Sequence, residues 1–334
     1  MNVRDLPTPA LIIDVPAFEH NIDAMSTALP GRRLRPHVKA HKCTALACVQ
    51  AAAGHLGFTC ATPREVLGMV AAGLGDDLLL ANEVIDPARL RAMSAAQESA
   101  NITVAVDSRE TIDAAASAGL RQVLIDVDVG LPRCGCVVAD AGHLADHARN
   151  AGLEVRGVMG YEGHLMVVPD RAEQRRQVTA AMEQLATAHA DVGGDIMSAG
   201  GTGTYDLHDV ATEIQAGSYA LMDSYYAKLD LPFRQACFVV GTVVSRNERH
   251  AVADIGLKAL GMDHGNPTID GASVWFCSDE HITFAAKDGR QPAVGDRVSV
   301  VPAHIDPTMA MHEVAWLVRD DEAIDRWPID LRGW

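Results

Sequence analysis

The feature of this sequence that most limits its fold is an alternation of short apolar runs with longer alanine-rich segments between Thr8 and about Asp223. The apolar runs resemble buried β-strands and lie at residues 10–13, 34–40, 57–61, 78–81, 102–106, 123–127, 155–159 and 196–199, with a further run at 214–222. Eight such units predict a (β/α)8 barrel, and a doubly wound open sheet would show the same alternation.

Proline and glycine mark the ends of the helices that we predict between these strands, at residues 16–29, 44–53, 63–72 and 87–99. Proline is tolerated in the first turn of a helix, and glycine is favoured just after the last turn. Residues of these two kinds stand at the expected places, and they are Pro16, Pro63, Pro87, Gly73, Gly119 and Gly152.

The pattern changes after about Pro232, where short β-rich runs are separated by turn residues. These runs lie at residues 237–244, 250–255, 272–276, 281–285, 297–301 and 314–318. The sequence therefore predicts a barrel over residues 8–231 and a smaller, mostly antiparallel β domain over residues 232–334, with residues 1–7 packed on the β domain.

The charge balance limits the partners of the protein. Lys and Arg number 28 and Asp and Glu number 44, which gives a net charge of −16. A strongly acidic surface repels phosphate backbones and anionic lipids, so we expect neither nucleic-acid nor membrane binding. The seven cysteines have no disulfide-like spacing, and the start of the chain lacks a secretory signal, so we expect a cytoplasmic protein with reduced thiols.

The segment from Arg35 to Lys42 carries two histidines and two lysines. On a strand, alternation would place His37, Lys39 and His41 on one face, which in a closed barrel is the interior. A lysine desolvated there becomes a usable nucleophile for Schiff-base formation. The alternative is a basic strand end that meets solvent.

Three further segments carry functional groups. His304 and Asp306 stand two residues apart, so a strand would direct both side chains at one point and offer a divalent ion two ligands; a hydrogen-bonded pair in a loop is the alternative. Residues 198–204 form a glycine-rich loop that either cradles a phosphate or is a plain turn. Other candidates at predicted strand ends are Arg133, Tyr161 and His164.

In their order along the chain, these motifs resemble those of the D-threonine aldolase and D-serine dehydratase family, the pyridoxal-phosphate enzymes with an alanine-racemase-type barrel. The resemblance extends from Thr8 to Thr308. It rests on the segments 35–42, 161–164, 200–204, 215–219 and 304–306.

The resemblance implies a role for each matched residue. Lys39 would form the Schiff base with pyridoxal 5'-phosphate, Arg133 would lie beside its phenolic oxygen, and Tyr161 would pack at its ring. Gln215 occupies the region near the pyridine nitrogen, which disfavours racemisation, and Tyr219 belongs to the same cofactor-binding segment. The residues implied for the phosphate are Gly201, Thr202, Gly217 and Ser218. A homodimer is a further expectation from the family.

The same resemblance implies that His304 and Asp306 bind the metal. Dehydratase-like members carry His-x-Cys with zinc, whereas the aldolases carry His-x-Asp with a harder ion, so Mn²⁺ is favoured here over Mg²⁺, Co²⁺ or Zn²⁺. The implied reaction is cleavage of a D-threonine-type D-β-hydroxy-α-amino acid to glycine and an aldehyde. His164 is the candidate base, with a metal-bound hydroxide as the substitute.

Two other functions stay open at this point. A D-serine or D-3-hydroxyaspartate dehydratase would use the same metal to release hydroxide, giving an oxo acid and ammonia. A non-catalytic protein that carries pyridoxal phosphate would need only the barrel.

Overall fold

The structure is a computed structural model that describes residues 1–334. The fifteen strands are β1 (Ala10–Asp14), β2 (Gly57–Cys60), β3 (Asp77–Leu80), β4 (Ile102–Val106), β5 (Gln122–Asp126), β6 (Glu154–Met159), β7 (Ile196–Ala199), β8 (Glu213–Ile214), β9 (Cys237–Arg246), β10 (Ala251–Ala253), β11 (Ala272–Cys277), β12 (Ile282–Ala286), β13 (Arg297–Val300), β14 (Val314–Arg319) and β15 (Glu322–Pro328). The eight helices are α1 (Val15–Ala28), α2 (Thr44–Ala52), α3 (Pro63–Ala71), α4 (Pro87–Ala96), α5 (Arg109–Ser117), α6 (Ala141–Asn150), α7 (Arg171–Val192) and α8 (Ile305–Met311).

The chain forms two compact units. The barrel unit comprises residues 25–39, 47–217 and 333–334, and the mixed-sheet unit comprises residues 1–24, 40–46 and 218–332. The bounds predicted for the two domains, 8–231 and 232–334, stay a prediction. No helix has the length and apolar composition needed to cross a membrane, and all seven cysteines are free.

The barrel unit contains a parallel sheet of seven strands in the order β2 to β8. An irregular segment, residues 34–37, joins the two edges of this sheet: Leu34 pairs with Ile214 of β8, and His37 pairs with Thr59 of β2. The N–H of Thr59 donates to the carbonyl of Pro36 at 2.9 Å. This segment closes the barrel, so the (β/α)8 prediction is confirmed and the open-sheet alternative is wrong.

The structure corrects the prediction of a strand over residues 34–40. Val38–Ala40 is a 3₁₀ helix, so His37, Lys39 and His41 do not alternate along an extended strand. Proline has no N–H for a sheet ladder, and Pro36 stands between the two paired residues, Leu34 and His37. The run at 214–222 is likewise mostly irregular, because β8 ends at Ile214.

Helix ends follow the predicted signals. The side chain of Thr62 accepts a hydrogen bond from the N–H of Glu65 at the start of α3, and Asp86 caps α4 in the same way. Each capping residue precedes a proline in the first turn. The three glycines predicted to follow helices have positive φ, with values of 76° at Gly73, 83° at Gly119 and 86° at Gly152.

A buried ion network lies at the amino-terminal end of the barrel. Arg35 donates to Asp77 and to Glu213, each at 2.7 Å, and Arg156 donates to Asp77 at 2.9 Å. Burial raises the pKa of Asp77, but the charges of Arg35 and Arg156 outweigh it and hold this pKa below its ordinary value. A third arginine, Arg32, lies 3.8 Å from the carboxylate of Asp77, and its side chain is 79% exposed.

Replacing Arg35 with alanine is expected to lower the free energy of unfolding by about 3–5 kcal/mol, because the buried Glu213 loses its ion-pair partner and Asp77 keeps Arg156 but loses Arg35. Arg32→Ala is the matched control, and its exposed pair should contribute about 0–1 kcal/mol. Since the pKa of Asp77 is lowered in the folded state, its share is present above the unfolded pKa of about 4 and is lost as pH falls through the folded value. Urea unfolding of both variants at neutral pH checks this, and equal losses would contradict it.

The mixed-sheet unit contains strands in the order β11-β12-β10-β9-β1-β14-β15, with β13 paired to β9. The run that we predicted as the first barrel strand is β1, and it pairs antiparallel with β9 and parallel with β14. The assignment of β1 to the barrel is therefore wrong. Its buried apolar residues suit the interior of either sheet, and its partners lie more than 200 residues away, as in the pair Ile12 and Phe238.

Two elements near the end of the chain were not predicted. β15 pairs with β14 as a hairpin, and the short helix α8 begins directly after His304. His304 and Asp306 therefore do not share a strand face, as the spacing had predicted. Asp223 anchors this helix start by accepting a hydrogen bond from the N–H of Ile305 at 2.9 Å.

Candidate active site

Three of the predicted residues cluster at the carboxyl end of the barrel. Lys39 follows the closing segment, Arg133 lies in the loop after β5, and Tyr161 follows β6. The Tyr161 ring centroid is 5.6 Å from Nζ of Lys39 and 5.4 Å from Cζ of Arg133. The carboxyl end is where barrel enzymes hold their reacting groups. An amine, a guanidinium and an aromatic ring in this arrangement fit an anionic aromatic cofactor that is held through a lysine.

The glycine loop, residues 200–204, follows β7 at the same end. A Cβ on Gly203 would lie 1.9 Å from the carbonyl oxygen of Met166, and one on Gly201 would lie 2.7 Å from its Sδ. Side chains are therefore excluded on that side of the loop. The N–H groups of Gly203 and Gly217 donate to no protein acceptor. Unused N–H groups of glycines, in backbone that no side chain of their own covers, suit a phosphate.

The other residues that we predicted to bind the cofactor have these surroundings. Thr202 is buried, and Gln215 donates through Nε2 to Oγ of Ser198 at 2.9 Å. In the mixed-sheet unit, Ser218 and Tyr219 lie in the 3₁₀ helix Ser218–Ala220. The fully buried ring of Tyr219 packs against Phe233, with centroids 5.7 Å apart.

His164 is exposed and lies in the short 3₁₀ helix Gly163–Leu165 after β6. Its Cε1 would be 3.0 Å from a Cβ built on Gly130, in the loop after β5. The ring therefore occupies the rim of the barrel, where exchange of a proton with solvent is open to it.

His304 and Asp306 are brought together in the mixed-sheet unit, although not by a strand. Nε2 of His304 lies 3.9 Å from Oδ1 of Asp306, too far for a hydrogen bond. The other ring nitrogen, Nδ1, is 2.7 Å from Oδ2 of Asp263. A carboxylate that receives Nδ1–H fixes the tautomer and leaves Nε2 to bind a metal. The donor set therefore fits a divalent cation.

Sequence reasoning missed Asp263 and His264, although an adjacent acid and histidine in a turn was a visible signal. The rings of His264 and His304 stack 4.0 Å apart at an interplanar angle of 13°, and Tyr225 covers His264 at 4.0 Å. Ligand atoms of Asp263, His264 and His304 all lie within 4.8 Å of one another. Burial and the neighbouring His304 lower the pKa of His264, which keeps its imidazole neutral.

A second polar cluster in the barrel unit was also missed. Ligand atoms of Glu83, Asp107 and Cys134 lie within 4.8 Å of one another. A hydrogen bond to Glu83 and burial raise the pKa of Cys134 to about 12, and burial raises that of Asp126. Because the thiol stays protonated, this group is a poorer metal site than the histidine cluster, by which we mean Asp263, His264 and His304.

Comparison with known proteins identifies the class of protein to which this barrel belongs. Residues 13–224 match the family model of the alanine racemase N-terminal domain. Residues 236–318 match that of a putative serine dehydratase domain. An alanine racemase from Clostridium difficile has the same fold, with a TM-score of 0.70 at 14% identity.

Within this class, a D-threonine aldolase from an Arthrobacter species is 36% identical over 98% of this chain and 93% of its own length. A 3-hydroxy-D-aspartate aldolase from Paracoccus denitrificans is 30% identical over 100% and 94%. The crystal structure of D-threonine aldolase from Filomicrobium marinum has a TM-score of 0.93 at 33% identity, over 99% of this chain and 97% of that one. The chain therefore belongs to the D-threonine aldolase family of alanine-racemase-type pyridoxal-phosphate lyases, and the resemblance is confirmed.

A dehydratase is also similar. The D-threo-3-hydroxyaspartate dehydratase from a Delftia species has a TM-score of 0.85 at 26% identity, over 100% of both chains. Variants of that enzyme replace a histidine and, two positions further on, a cysteine, and the cysteine variant is described in a metal-free form.

Proposed function

We propose that this protein is a pyridoxal-phosphate- and divalent-metal-dependent aldolase that cleaves D-β-hydroxy-α-amino acids of the D-threonine type to glycine and an aldehyde. The observation that carries the proposal is the pair His304 and Asp306, with Nδ1 of His304 tied to Asp263 at 2.7 Å. In this chain a carboxylate stands two positions after the histidine, and a carboxylate favours a hard metal ion. The Delftia dehydratase has a cysteine two positions after its histidine.

The barrel residues would hold the cofactor. Lys39 would bind it covalently, Arg133 would offset the charge of its phenolic oxygen, and Tyr161 would pack at its ring. Gln215, which is neutral, would lie near the pyridine nitrogen, with Tyr219 in the same segment. Gly201, Thr202, Gly217 and Ser218 would receive the phosphate.

His304 and Asp306 would hold the metal, for which we favour Mn²⁺. When bound, pyridoxal phosphate supplies an electron sink for the carbanion at Cα, and the metal supplies a Lewis acid at the β-hydroxyl. His164 would accept the proton of that hydroxyl group. Solvent exposure of His164 would then let the proton leave between turnovers. We also propose that the protein works as a homodimer.

A product assay tests the proposal. Purified protein is incubated with pyridoxal phosphate, Mn²⁺ and D-threonine, with and without EDTA. Glycine and acetaldehyde are expected, and EDTA should abolish both. The dehydratase is the second candidate because of the similarity to the Delftia enzyme, and release of 2-oxobutanoate and ammonia would favour it and contradict the aldolase.

Replacing Asp263 with alanine is expected to weaken metal binding about 10–100-fold, because nothing then fixes the Nδ1 proton of His304. Burial raises the pKa of Asp263, but the hydrogen bond from His304 outweighs it and keeps the carboxyl ionised. Titration of Mn²⁺ by calorimetry measures the effect. Asp279→Ala, at an exposed acid of the same unit, is the control, and equal affinities in the two variants would contradict the role of Asp263.

A further inference from the structure

A buried hydrogen-bond network lies against the glycine loop and has no role in the chemistry described so far. The carboxylate of Glu162, which is fully buried, accepts from the N–H of Gly200 at 3.2 Å and from the hydroxyl group of Thr204 at 2.7 Å. Nε2 of His208 lies 2.9 Å from the same carboxylate. The network therefore binds both ends of residues 200–204.

The protonation of this network follows from its contacts. Burial raises the pKa of Glu162, but hydrogen bonds from His208 and Thr204 outweigh it and keep the carboxyl ionised. Nδ1 of His208 is buried and has no hydrogen-bond partner. An N–H at that position would be an unsatisfied donor, so the proton of His208 is assigned to Nε2, from which it is donated to Glu162.

The fit between His208 and the loop is close. Gly200 has a φ of 80°, and a Cβ there would lie 2.8 Å from Nε2 of His208. The hydroxyl group of Thr204 also accepts from the N–H of Gly201 at 3.3 Å. The loop is thus held from its protein side, while the N–H of Gly203 stays available to a ligand.

We propose that Glu162 and His208 are positioning residues that hold the glycine loop in the conformation that receives the phosphate of the cofactor. The inference rests on the proposed function, since it takes the loop as the phosphate site. Without the donor on His208, the buried carboxylate of Glu162 lacks one of its three hydrogen bonds, and the glycine loop is less ordered before the ligand binds. Part of the binding free energy is then lost in ordering the loop, so the affinity falls.

The test compares pyridoxal phosphate with pyridoxal, which lacks the phosphate, in binding to the apoenzyme. His208→Phe is expected to weaken pyridoxal phosphate about tenfold or more and to leave pyridoxal within about twofold. His208→Gln, whose Nε2 can restore the donor, should recover most of the affinity. His55→Phe is the control, because His55 is another buried, hydrogen-bonded histidine of the barrel unit.

Each outcome decides the inference. An equal loss for both ligands in His208→Phe, or no loss for either, would overturn it and leave the proposed function standing. A wild-type protein that binds neither ligand would overturn the proposed function together with the inference. If His208→Phe does not fold, Thr204→Val removes one hydroxyl donor from the same carboxylate with little change of shape and must show the same selective loss.

Discussion

Replacing Lys39 with alanine is expected to abolish the visible absorbance of the bound cofactor and to lower the rate of D-threonine cleavage at least about 1,000-fold. We expect this loss because the amine of Lys39 lies beside the ring of Tyr161, and no other lysine lies in the cluster of Lys39, Arg133 and Tyr161. Absorbance spectra and initial rates of the purified variant measure both effects.

Lys42→Ala is the matched control, since it removes the other lysine of the same segment and should keep the absorbance. Borohydride reduction of the wild-type holoenzyme, followed by peptide mass analysis, should label Lys39. A label on Lys42 would refute the assignment, and so would a Lys39→Ala variant with wild-type rates.

Replacing Asp306 with alanine is expected to remove metal-stimulated cleavage, with a loss of about 1,000-fold, while the cofactor absorbance stays unchanged. One of the two ligands of the proposed metal is then absent, and Ser218 loses the carboxylate to which it donates at 3.3 Å. Rates measured across a Mn²⁺ titration separate lost affinity from lost turnover.

Asp306→Cys is the informative companion. It creates the His-x-Cys pattern, and a thiolate prefers softer ions, so the stimulating metal should shift from Mn²⁺ towards Zn²⁺. Full activity of Asp306→Ala at ordinary Mn²⁺ concentrations would contradict the metal assignment.

The barrel could be predicted from the sequence because its strands are buried on both faces. Such strands are continuous apolar runs, and β3 and β4 have only buried residues. The same property explains the error at β1, since a buried apolar run carries no information on which sheet it joins. Pairing of Ile12 with Phe238 and with Trp316 is a long-range choice that local patterns do not encode.

The proximity of Lys39, Arg133 and Tyr161 could be predicted in outline, since the three side chains do come together. The local geometry could not, because the run at 34–40 has strand-like composition and yet turns into a 3₁₀ helix. At the histidine cluster, Asp263 lies 41 residues before His304 and reaches it only through tertiary folding. Glu162 belonged to a recognised motif, but its partner His208 lies in a segment without distinctive pattern.

Closure of the barrel by residues 34–37 has a consequence for the order of folding. Leu34 must find Ile214, 180 residues further along the chain, before the segment that carries Lys39 is fixed. Contacts of such high sequence separation form slowly. During synthesis, Lys39 therefore leaves the ribosome early but gains its final surroundings only after residue 214 has emerged. Under the proposed function, acquisition of the cofactor at Lys39 would then be a late event, and the visible absorbance of the bound cofactor would report completed closure of the barrel.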